Sequence, residues 1–345
     1  MKYLYICLVF IFPIMRANAQ NSSNNNKAMN SKTDITFKNS TEITGTLSGK
    51  KIVLPGVNDA PMPFINVPDI FYNGKPIPNF NIKLSPGNPD SRSFNKKFAL
   101  LIPATNTIVE HEMWSIIFNN QGEGGLDGVG IHTTNIETPI IQVKTDADLQ
   151  AFKNQYIEKL NSAIEQASLS QPEYLIMGMS LEHILHGISE IDGVMNQIES
   201  MHKYSWSTWT KAADAALKKY HAKRIGIITP WTSNANQNAI KMFQDLGYEV
   251  VADFGFSCTK LVDIAHIPDE AKEEAILKYL ATPENKLDAI VQCGSNMSML
   301  NVSEKLEKQL GIPILGINAV TLWYALRENG FTKPLNKSSR LLKEF

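Results

Sequence analysis

The sequence is poor in cysteine, in surplus charge and in long apolar runs, and each shortage excludes a class of protein. Three cysteines, Cys7, Cys258 and Cys293, are too few for a disulfide framework. Lysine and arginine number 33 against 34 aspartates and glutamates, so no basic surplus favours a nucleic-acid partner. No glycine-rich phosphate-binding motif occurs, and we therefore expect no nucleotide cofactor.

The N-terminal apolar run, Tyr3–Met15, is too short to span a bilayer. Lys2 precedes it, and Ala17-Asn18-Ala19 follows with the small-x-small pattern of a cleavage site. Residues 1–19 are therefore predicted to be a signal peptide, with an uncleaved anchor as the alternative. We expect a periplasmic or secreted protein, with no membrane attachment after cleavage, that retains Cys258 and Cys293.

The next part of the chain shows no helical pattern. Residues 20–32 are rich in Asn, Ser and Lys and are predicted to be a disordered linker. Residues 33–95 combine short β-like runs, such as Ile35–Phe37 and Ile52–Leu54, with many Pro, Gly and Asn residues. We predict an irregular, β-like N-terminal extension over 33–95 and assign no chemistry to it.

From about residue 96 the sequence alternates between strand-like and helix-like stretches. The strand-like apolar runs are Phe98–Ile102, Gly128–Ile131, Tyr174–Met177, Arg224–Ile228, Tyr248–Val251, Asp288–Gln292 and Ile312–Leu315. The helix-like stretches are Leu149–Ala167, Trp206–Tyr220, Asn236–Leu246, Asp269–Leu280 and Val302–Leu310. Such alternation predicts an α/β fold with parallel sheets flanked by helices.

A weak internal repeat indicates two similar halves. Phe98–Asn106 is similar to Ile225–Asn234, and Tyr174–Ser180 is similar to Ala289–Ser295. We predict two half-domains related by a pseudo-twofold axis, which face each other across a cleft. The first comprises 96–215 with 325–345, and the second comprises 216–324.

Cys293 is the first candidate for chemistry. It directly follows an apolar run that reads as a buried strand, and small polar residues come after it. Such a position lies at the carboxyl edge of a parallel sheet, where open α/β folds bind ligands. Helix N-terminal amides at that edge lower the pKa of a thiol and suit it for proton transfer. The alternative is a cysteine packed in the core.

Five short motifs stand at or near the predicted strand ends. They are Pro103–Glu110, Met177–Ser180, Thr229–Thr232, Gln292–Gly294 and Gly316–Arg327. As a set they resemble motifs of the aspartate/glutamate racemase superfamily. The first looks like a maleate cis–trans isomerase motif, and the second and fourth look like loops of arylmalonate decarboxylases. The resemblance spans about residues 96–330 and implies the two-domain, pseudo-twofold fold of that superfamily.

Position 178 separates the activities within this superfamily. By this resemblance, the isomerases have a nucleophilic cysteine at the corresponding position. The decarboxylases are similar to this chain, with glycine there and one cysteine in the second half. The resemblance implies a cofactor-free decarboxylase of substituted malonates, in which Cys293 protonates an enediolate on one face. Two alternatives stay open. One is a maleate isomerase-like or racemase-like enzyme acting on small dicarboxylates, and the other is a non-catalytic periplasmic protein that binds a small carboxylate.

The same resemblance, together with the need to stabilise an enediolate, defines the candidate site. Cys293 and Ser180 are the candidate catalytic residues, and Gly178–Ser180 with Gly294–Ser295 are expected to form an anion cradle. The candidate substrate-binding residues are Asn106, Ile131, Gly178, Met179, Trp231, Leu261, Ile264, Gly294 and Ser295. Of these, Ile131, Leu261 and Ile264 are expected to be apolar pocket residues, while a capping role for Asn106 stays open.

Three further residues are considered and given no catalytic role. His183 and His186 are three apart on a predicted helix, but no third ligand is evident, so no metal site is predicted. Cys258 is either a buried filler or a partner for Cys293 in an inactivating disulfide. The expected partner is a small carboxylate or dicarboxylate substrate, and the sequence leaves the oligomeric state open.

Overall fold

The computed structural model describes residues 90–138, 146–336 and 338–345, together with short segments between residues 36 and 83. The predicted signal peptide (1–19) and linker (20–32) lie outside the described residues. In the described part of the chain, no helix has the length and apolar character needed to cross a membrane.

The described segments before residue 90 are short antiparallel strands. Strands β1–β3 form one sheet, and β4 with β7 and β5 with β6 form two-stranded pairs. The predicted β-like runs fall on β1 and β3. The bounds are β1 Thr36–Phe37, β2 Ile43–Leu47, β3 Lys50–Leu54, β4 Phe64–Ile65, β5 Phe71–Tyr72, β6 Lys75–Pro76 and β7 Ile82–Lys83.

The first half of the main body is built on a four-stranded parallel sheet in the order β11-β10-β8-β9. Its strands are β8 Lys96–Pro103, β9 Val129–Ile136, β10 Tyr174–Met177 and β11 Trp206–Ser207. The central strands β8 and β10 are almost fully buried. Their unbroken apolar runs are typical of parallel strands that are covered by helices on both faces.

The second half contains another four-stranded parallel sheet, in the order β13-β12-β14-β15. Its strands are β12 Arg224–Thr229, β13 Glu249–Gly255, β14 Ala289–Gln292 and β15 Ile314–Gly316. Read in reverse, this order matches the first sheet strand for strand, so that β8 corresponds to β12 and β10 to β14. The predicted fold class, with two pseudo-twofold-related α/β halves, is confirmed.

Nine α-helices lie in the described residues. They are α1 Val109–Asn119, α2 Asp146–Ser168, α3 Gly187–Met201, α4 Trp209–Lys219, α5 Ser233–Asp245, α6 Asp269–Ala275, α7 Leu300–Leu310, α8 Ile317–Glu328 and α9 Arg340–Glu344. Helix α4 begins later than predicted because Trp206–Ser207 pairs with β10 as a strand. Thr208 then caps α4 by accepting a hydrogen bond from the Lys211 amide.

Helix α8 returns the chain to the first half. It packs against α1, α4, β10 and β11, and α9 packs against it in turn. The return therefore begins at Ile317, ahead of the boundary predicted at residue 325. Nine of its twelve residues are buried, and a helix buried on all sides has no apolar stripe to reveal it in the sequence.

A buried carboxylate joins the two halves. Glu112, on α1, accepts hydrogen bonds from the Ser298 hydroxyl (2.8 Å) and from the amides of Met299 (2.8 Å) and Leu300 (2.9 Å). Its second oxygen accepts one from the Asn318 side chain at 2.8 Å. The side chain is 4% exposed. A carboxylate of the first half thus accepts hydrogen bonds from the free amides at the start of α7. The positive end of the dipole of that helix also stabilises its negative charge.

Replacing Glu112 with alanine is expected to lower the free energy of unfolding by about 3 kcal/mol, because buried donors lose a charged acceptor. Chemical denaturation of purified protein measures the change. Glu110→Ala is the matched control, since Glu110 lies on the same helix but is exposed and, among the described residues, accepts a hydrogen bond from the Thr133 hydroxyl alone. We expect it to change stability by about 0.5 kcal/mol or less. Equal losses of stability in the two variants would contradict the stabilising role of the Glu112 hydrogen bonds between the two halves.

Candidate functional site

A pocket of about 50 Å³ lies where the central strands of both sheets end. Strands β8 and β10 end at Pro103 and Met177, and β12 and β14 end at Thr229 and Gln292. The carboxyl edge of a parallel sheet is the usual ligand position in such folds. The lining residues are Pro103, Thr105, Asn106, Met179, Ser180, His183, Trp231, Leu261, Ile264, Gly294, Ser295 and Asn296.

Several backbone amides in this lining have no hydrogen-bond acceptor in the part of the chain that the structure describes. Among them are those of Met179 and Ser180 in the first half and those of Gly294 and Ser295 in the second. None of the lining side chains is a lysine or an arginine. The donors that can meet an anion here are therefore neutral amides and hydroxyls contributed by both halves.

Two asparagines tie the pocket loops together across the halves. Asn106 donates to the Ser295 hydroxyl at 3.0 Å, and its oxygen accepts from the amides of Ile108 (2.9 Å) and Val109 (3.1 Å). Asn296 accepts from the Thr107 amide at 3.0 Å. Asn106 therefore lines the pocket and also accepts hydrogen bonds at the start of α1, while its role in substrate binding stays a prediction.

The thiol of Cys293 lies directly behind this pocket wall. The side chain is fully buried, and it is not among the lining residues, although Gly294 and Ser295 are. Burial raises the pKa of the Cys293 thiol well above its ordinary value, and the nearby Glu182 carboxyl raises it further. The indole N–H of Trp209 acts in the opposite direction. The cysteine is therefore a protonated thiol at neutral pH.

The chain turns sharply after Cys293. Gly294 has φ +90°, and a Cβ there would lie 2.5 Å from the Pro230 ring. The buried Gln292 side chain donates to the carbonyls of Cys293 and Gly294, both at 2.8 Å. Its oxygen accepts from the Ile317 amide at 3.1 Å. Gln292 thus holds the loop that carries the thiol against the start of α8.

Glu182 is a buried carboxyl beside the thiol. It is fully buried, and neither carboxyl oxygen has a hydrogen-bond partner in the described part of the chain. Burial raises the pKa of Glu182 to about 7, against weaker opposing interactions with local amides, the Ser180 hydroxyl and the Cys293 thiol. These contacts fall short of formed hydrogen bonds.

His183 forms another part of the pocket lining. Its ring stacks on Trp231 with centroids 5.4 Å apart and an interplanar angle of 26°. Burial lowers the pKa of His183 to about 4, so the imidazole is neutral at pH 7. The pair places a flat, uncharged aromatic surface beside the polar strand-end loops.

The sequence profile of one family, described as arylmalonate decarboxylase, matches residues 154–342. The chain belongs to the arylmalonate decarboxylase family. No curated protein sequence matches it.

Solved structures of the arylmalonate decarboxylase family and of maleate isomerases share the fold. The Nocardia farcinica maleate cis–trans isomerase is 18% identical with a TM-score of 0.61, over 72% of this chain and 98% of that one. The maleate isomerase of Pseudomonas putida S16 is 17% identical with a TM-score of 0.61, over the same shares of both chains. An arylmalonate decarboxylase is 13% identical with a TM-score of 0.55, over 72% of this chain and 100% of that one.

Most of the predicted site residues lie in the lining of this pocket. Those in the lining are Asn106, Met179, Ser180, Trp231, Leu261, Ile264, Gly294 and Ser295. The prediction for Ile131 is wrong. It pairs with Phe98, near the start of β8, and lies in a different cleft with Trp114 and Phe118. The active-site edge of the sheet begins only beyond Pro103.

Gly178 and Cys293 stand at equivalent strand ends, and neither is in the lining. The Gly178 amide still donates to the Leu101 carbonyl at 2.8 Å. A Cβ at position 178 would lie 2.6 Å from the Ile102 side chain and 2.8 Å from that of Leu100. The position therefore faces strand β8 closely, and it has no free space for a second thiol.

Sequence reasoning missed Glu182 and His183 as site residues. Both follow the strand-end motif Met177–Ser180, in a turn rather than in the predicted helix, since α3 begins at Gly187. Their signal is the presence of two titratable side chains directly after a predicted buried strand. His186 instead contacts the Asn238 side chain at 2.8 Å. No group of three potential metal ligands occurs among the described residues.

Cys258 and Cys293 are both free thiols. Cys293 packs in the larger core cluster, and Cys258 packs against the smaller cluster of the second half. Burial raises the pKa of Cys258, and Asp263 raises it further. The disulfide between them stays a prediction.

Gly294→Ala is expected to lower the free energy of unfolding through two effects, the strain of a positive φ and the overlap of its Cβ with the Pro230 ring. The overlap should add about 1–3 kcal/mol to the loss. Gly247→Ala is the matched control, since Gly247 has φ +91° and no atom within 4 Å of its Cβ position. Denaturant unfolding of both variants measures the difference. The same loss in both would show that Pro230 does not restrict the loop.

Proposed function

We propose that this protein is a cofactor-free decarboxylase of small substituted malonates, with Cys293 as the proton donor. The observation that supports it most directly is the group of unpaired amides, contributed by both halves, in the lining of one small pocket. Family membership supports the same activity.

The unpaired amides suit the charge that develops in this reaction. Loss of CO₂ from a malonate leaves an enediolate, whose two oxygens share the negative charge. Donors that already point at such oxygens are usually the largest single contribution to catalysis, on the order of 3 kcal/mol each. In our proposal the amides of Met179, Ser180, Gly294 and Ser295 bind these oxygens, and the apolar Trp231 and Ile264 border the departing carboxylate.

Protonation then occurs on one face only. The Cys293 thiol gives its proton to the enediolate carbon, and the pseudo-symmetric position holds Gly178, which has no acid or base. Because the thiol lies behind the lining, substrate entry has to open the wall between them. The flexible side chain of Met179 is part of the lining, and its sulfur contacts the Tyr156 hydroxyl.

An isomerase is less well supported. A Nocardia farcinica maleate cis–trans isomerase structure contains a covalently bound succinylcysteine intermediate. The resemblance places the corresponding nucleophile at position 178, where this chain has glycine and where a side chain would overlap Ile102. Cys293 alone would have to perform both addition and release.

A non-catalytic carboxylate-binding protein is the second candidate, and the full burial of the Cys293 thiol favours it. In that case the neutral donors and the pocket would bind a small carboxylate without any proton transfer. Turnover separates the two candidates, because binding alone releases no CO₂.

The decisive experiment incubates the protein with a panel of malonates and maleate in D₂O and measures CO₂ and deuterium. A decarboxylase releases CO₂ and places one deuterium on the product carbon. We expect Cys293→Ala to slow CO₂ release by about 10²–10⁴-fold, which is the usual contribution of a positioned acid. Cys258→Ala is the matched cysteine control and should keep the rate within about twofold.

Isomerisation of maleate without gas release would replace the proposal with an isomerase. Binding of a malonate with unchanged affinity in Cys293→Ala, and no turnover in the wild type, would support the binding protein instead.

The pocket volume restricts the substituents on the substrate. At about 50 Å³ the pocket is much smaller than the roughly 300 Å³ or more that is usual for larger ligands, so a bulky substituent would have to displace lining side chains. We expect Ile264→Ala, which removes a lining side chain that is 5% exposed, to raise kcat/KM for an aryl-substituted malonate relative to a methyl-substituted one by about tenfold. Leu277→Ala, at an exposed position, is the control. Unchanged preference in Ile264→Ala would show that another residue sets the size limit.

A further inference from the structure

We propose that Glu182 supplies the proton that restores the Cys293 thiol after each turnover, so that Ser180, Glu182 and Cys293 form a proton path between the pocket and the sulfur. This inference rests on the proposed decarboxylase function. Glu182 does not contact the substrate. In this proposal it acts only through Cys293, by giving a proton to the sulfur.

The placement of the Glu182 carboxyl is the first argument. The group is fully buried, and neither of its oxygens has a hydrogen-bond partner among the described residues. Its electrostatic neighbours are the Ser180 hydroxyl, the Cys293 thiol and two local amides, with no cation among them. Burying a carboxyl without a partner is costly, and such groups are found preferentially at functional sites.

The isolation of the thiol is the second argument. Cys293 is fully buried when the pocket wall is closed, so once the product has left and the wall has closed, water cannot return a proton to the sulfur directly. Trp209 interacts with the sulfur, but an indole N–H donates a hydrogen bond and does not release its proton. Of the groups that interact with this thiol, Glu182 is the acid.

The relative acidities set the direction of transfer. Burial raises the pKa of Glu182 to about 7, whereas that of the Cys293 thiol is raised well above its ordinary value. A protonated Glu182 is thus the stronger acid of the pair. Once Cys293 becomes a thiolate, the proton moves from the carboxyl to the sulfur, because the thiolate is the stronger base of the two.

The proton balance closes with water as the only further reactant. Decarboxylation breaks the bond between the central carbon and one carboxylate, and the electron pair stays on the enediolate. The thiol proton goes to that carbon, the Glu182 proton goes to sulfur, and the Ser180 hydroxyl passes a proton from water in the emptied pocket to Glu182. The hydroxide that is left combines with the released CO₂ as bicarbonate. Ser180 lines the pocket and interacts with the Glu182 carboxyl, so it connects the two compartments.

The kinetic test compares single and multiple turnovers. Glu182→Gln keeps the side-chain volume but has no proton to give. We expect it to release one CO₂ per protein in a fast first turnover and then to slow at least tenfold, since the thiol is protonated once and is restored slowly. Glu182→Asp should recover steady turnover, and Cys293→Ala should show no fast phase. Glu123→Gln, an exposed position, is the control for the substitution. Steady turnover in Glu182→Gln at the wild-type rate would overturn the proposal.

A second measurement needs no substrate. Below about pH 7 the infrared spectrum of the wild type should contain the carbonyl stretch of a buried protonated carboxyl. Glu182→Gln should abolish this band and shift the S–H stretch of Cys293, and Cys293→Ala should displace the carboxyl band. Failure of malonate turnover with these spectral changes present would refute the decarboxylase and support the Glu182–Cys293 pair. Absence of the carboxyl band, or an S–H stretch that is unchanged in Glu182→Gln, would refute the interaction between Glu182 and Cys293.

Discussion

The contact between the two halves is the constraint on which the site depends. Glu112 reaches from α1 to the first amides of α7, and its remaining oxygen accepts from Asn318 on α8. Because one buried carboxylate serves elements of both halves, a shift between them would leave several buried donors unpaired at once. The contacts of Asn106 with Ser295 and of Asn296 with Thr107 add to the same interface at the pocket itself. The pocket is therefore narrow and has a defined shape.

The electrostatics of the site follow from burial rather than from charge pairing. The lining contains no lysine or arginine, and the imidazole of His183 is neutral because burial disfavours its charged form. Behind the lining, burial holds both Glu182 and Cys293 in their protonated forms at slightly acidic pH. In the proposed reaction the negative charge would therefore be that of the bound substrate, and amide and hydroxyl dipoles rather than a cation would meet it.

The sequence was sufficient for the fold because the buried strands are continuous apolar runs, and the repeat placed them in corresponding positions. It failed where local pattern and tertiary position differ. Ile131 lies on a strand that leads to the active-site edge, but the register with Phe98 puts it at the far end of the sheet. Helix α8 is buried on all sides and so has no periodic signal. The position of Glu182 after a predicted strand is a weak signal, because its environment arises from Cys293, more than a hundred residues away.

The two halves share a fold, but they do not share the chemistry. Equivalent strand ends hold Gly178 and Cys293, and the first is pressed against Ile102 and Leu100 so closely that a side chain would have no space. The second is followed by Gly294, whose positive φ and contact with Pro230 turn the chain directly behind the thiol. Pseudo-symmetry therefore provides matching amides on both sides of the pocket, while steric contact restricts the acidic group to one side. In the proposed decarboxylase, amides on both sides of the pocket and an acid on one side only would favour protonation of the enediolate from a single face.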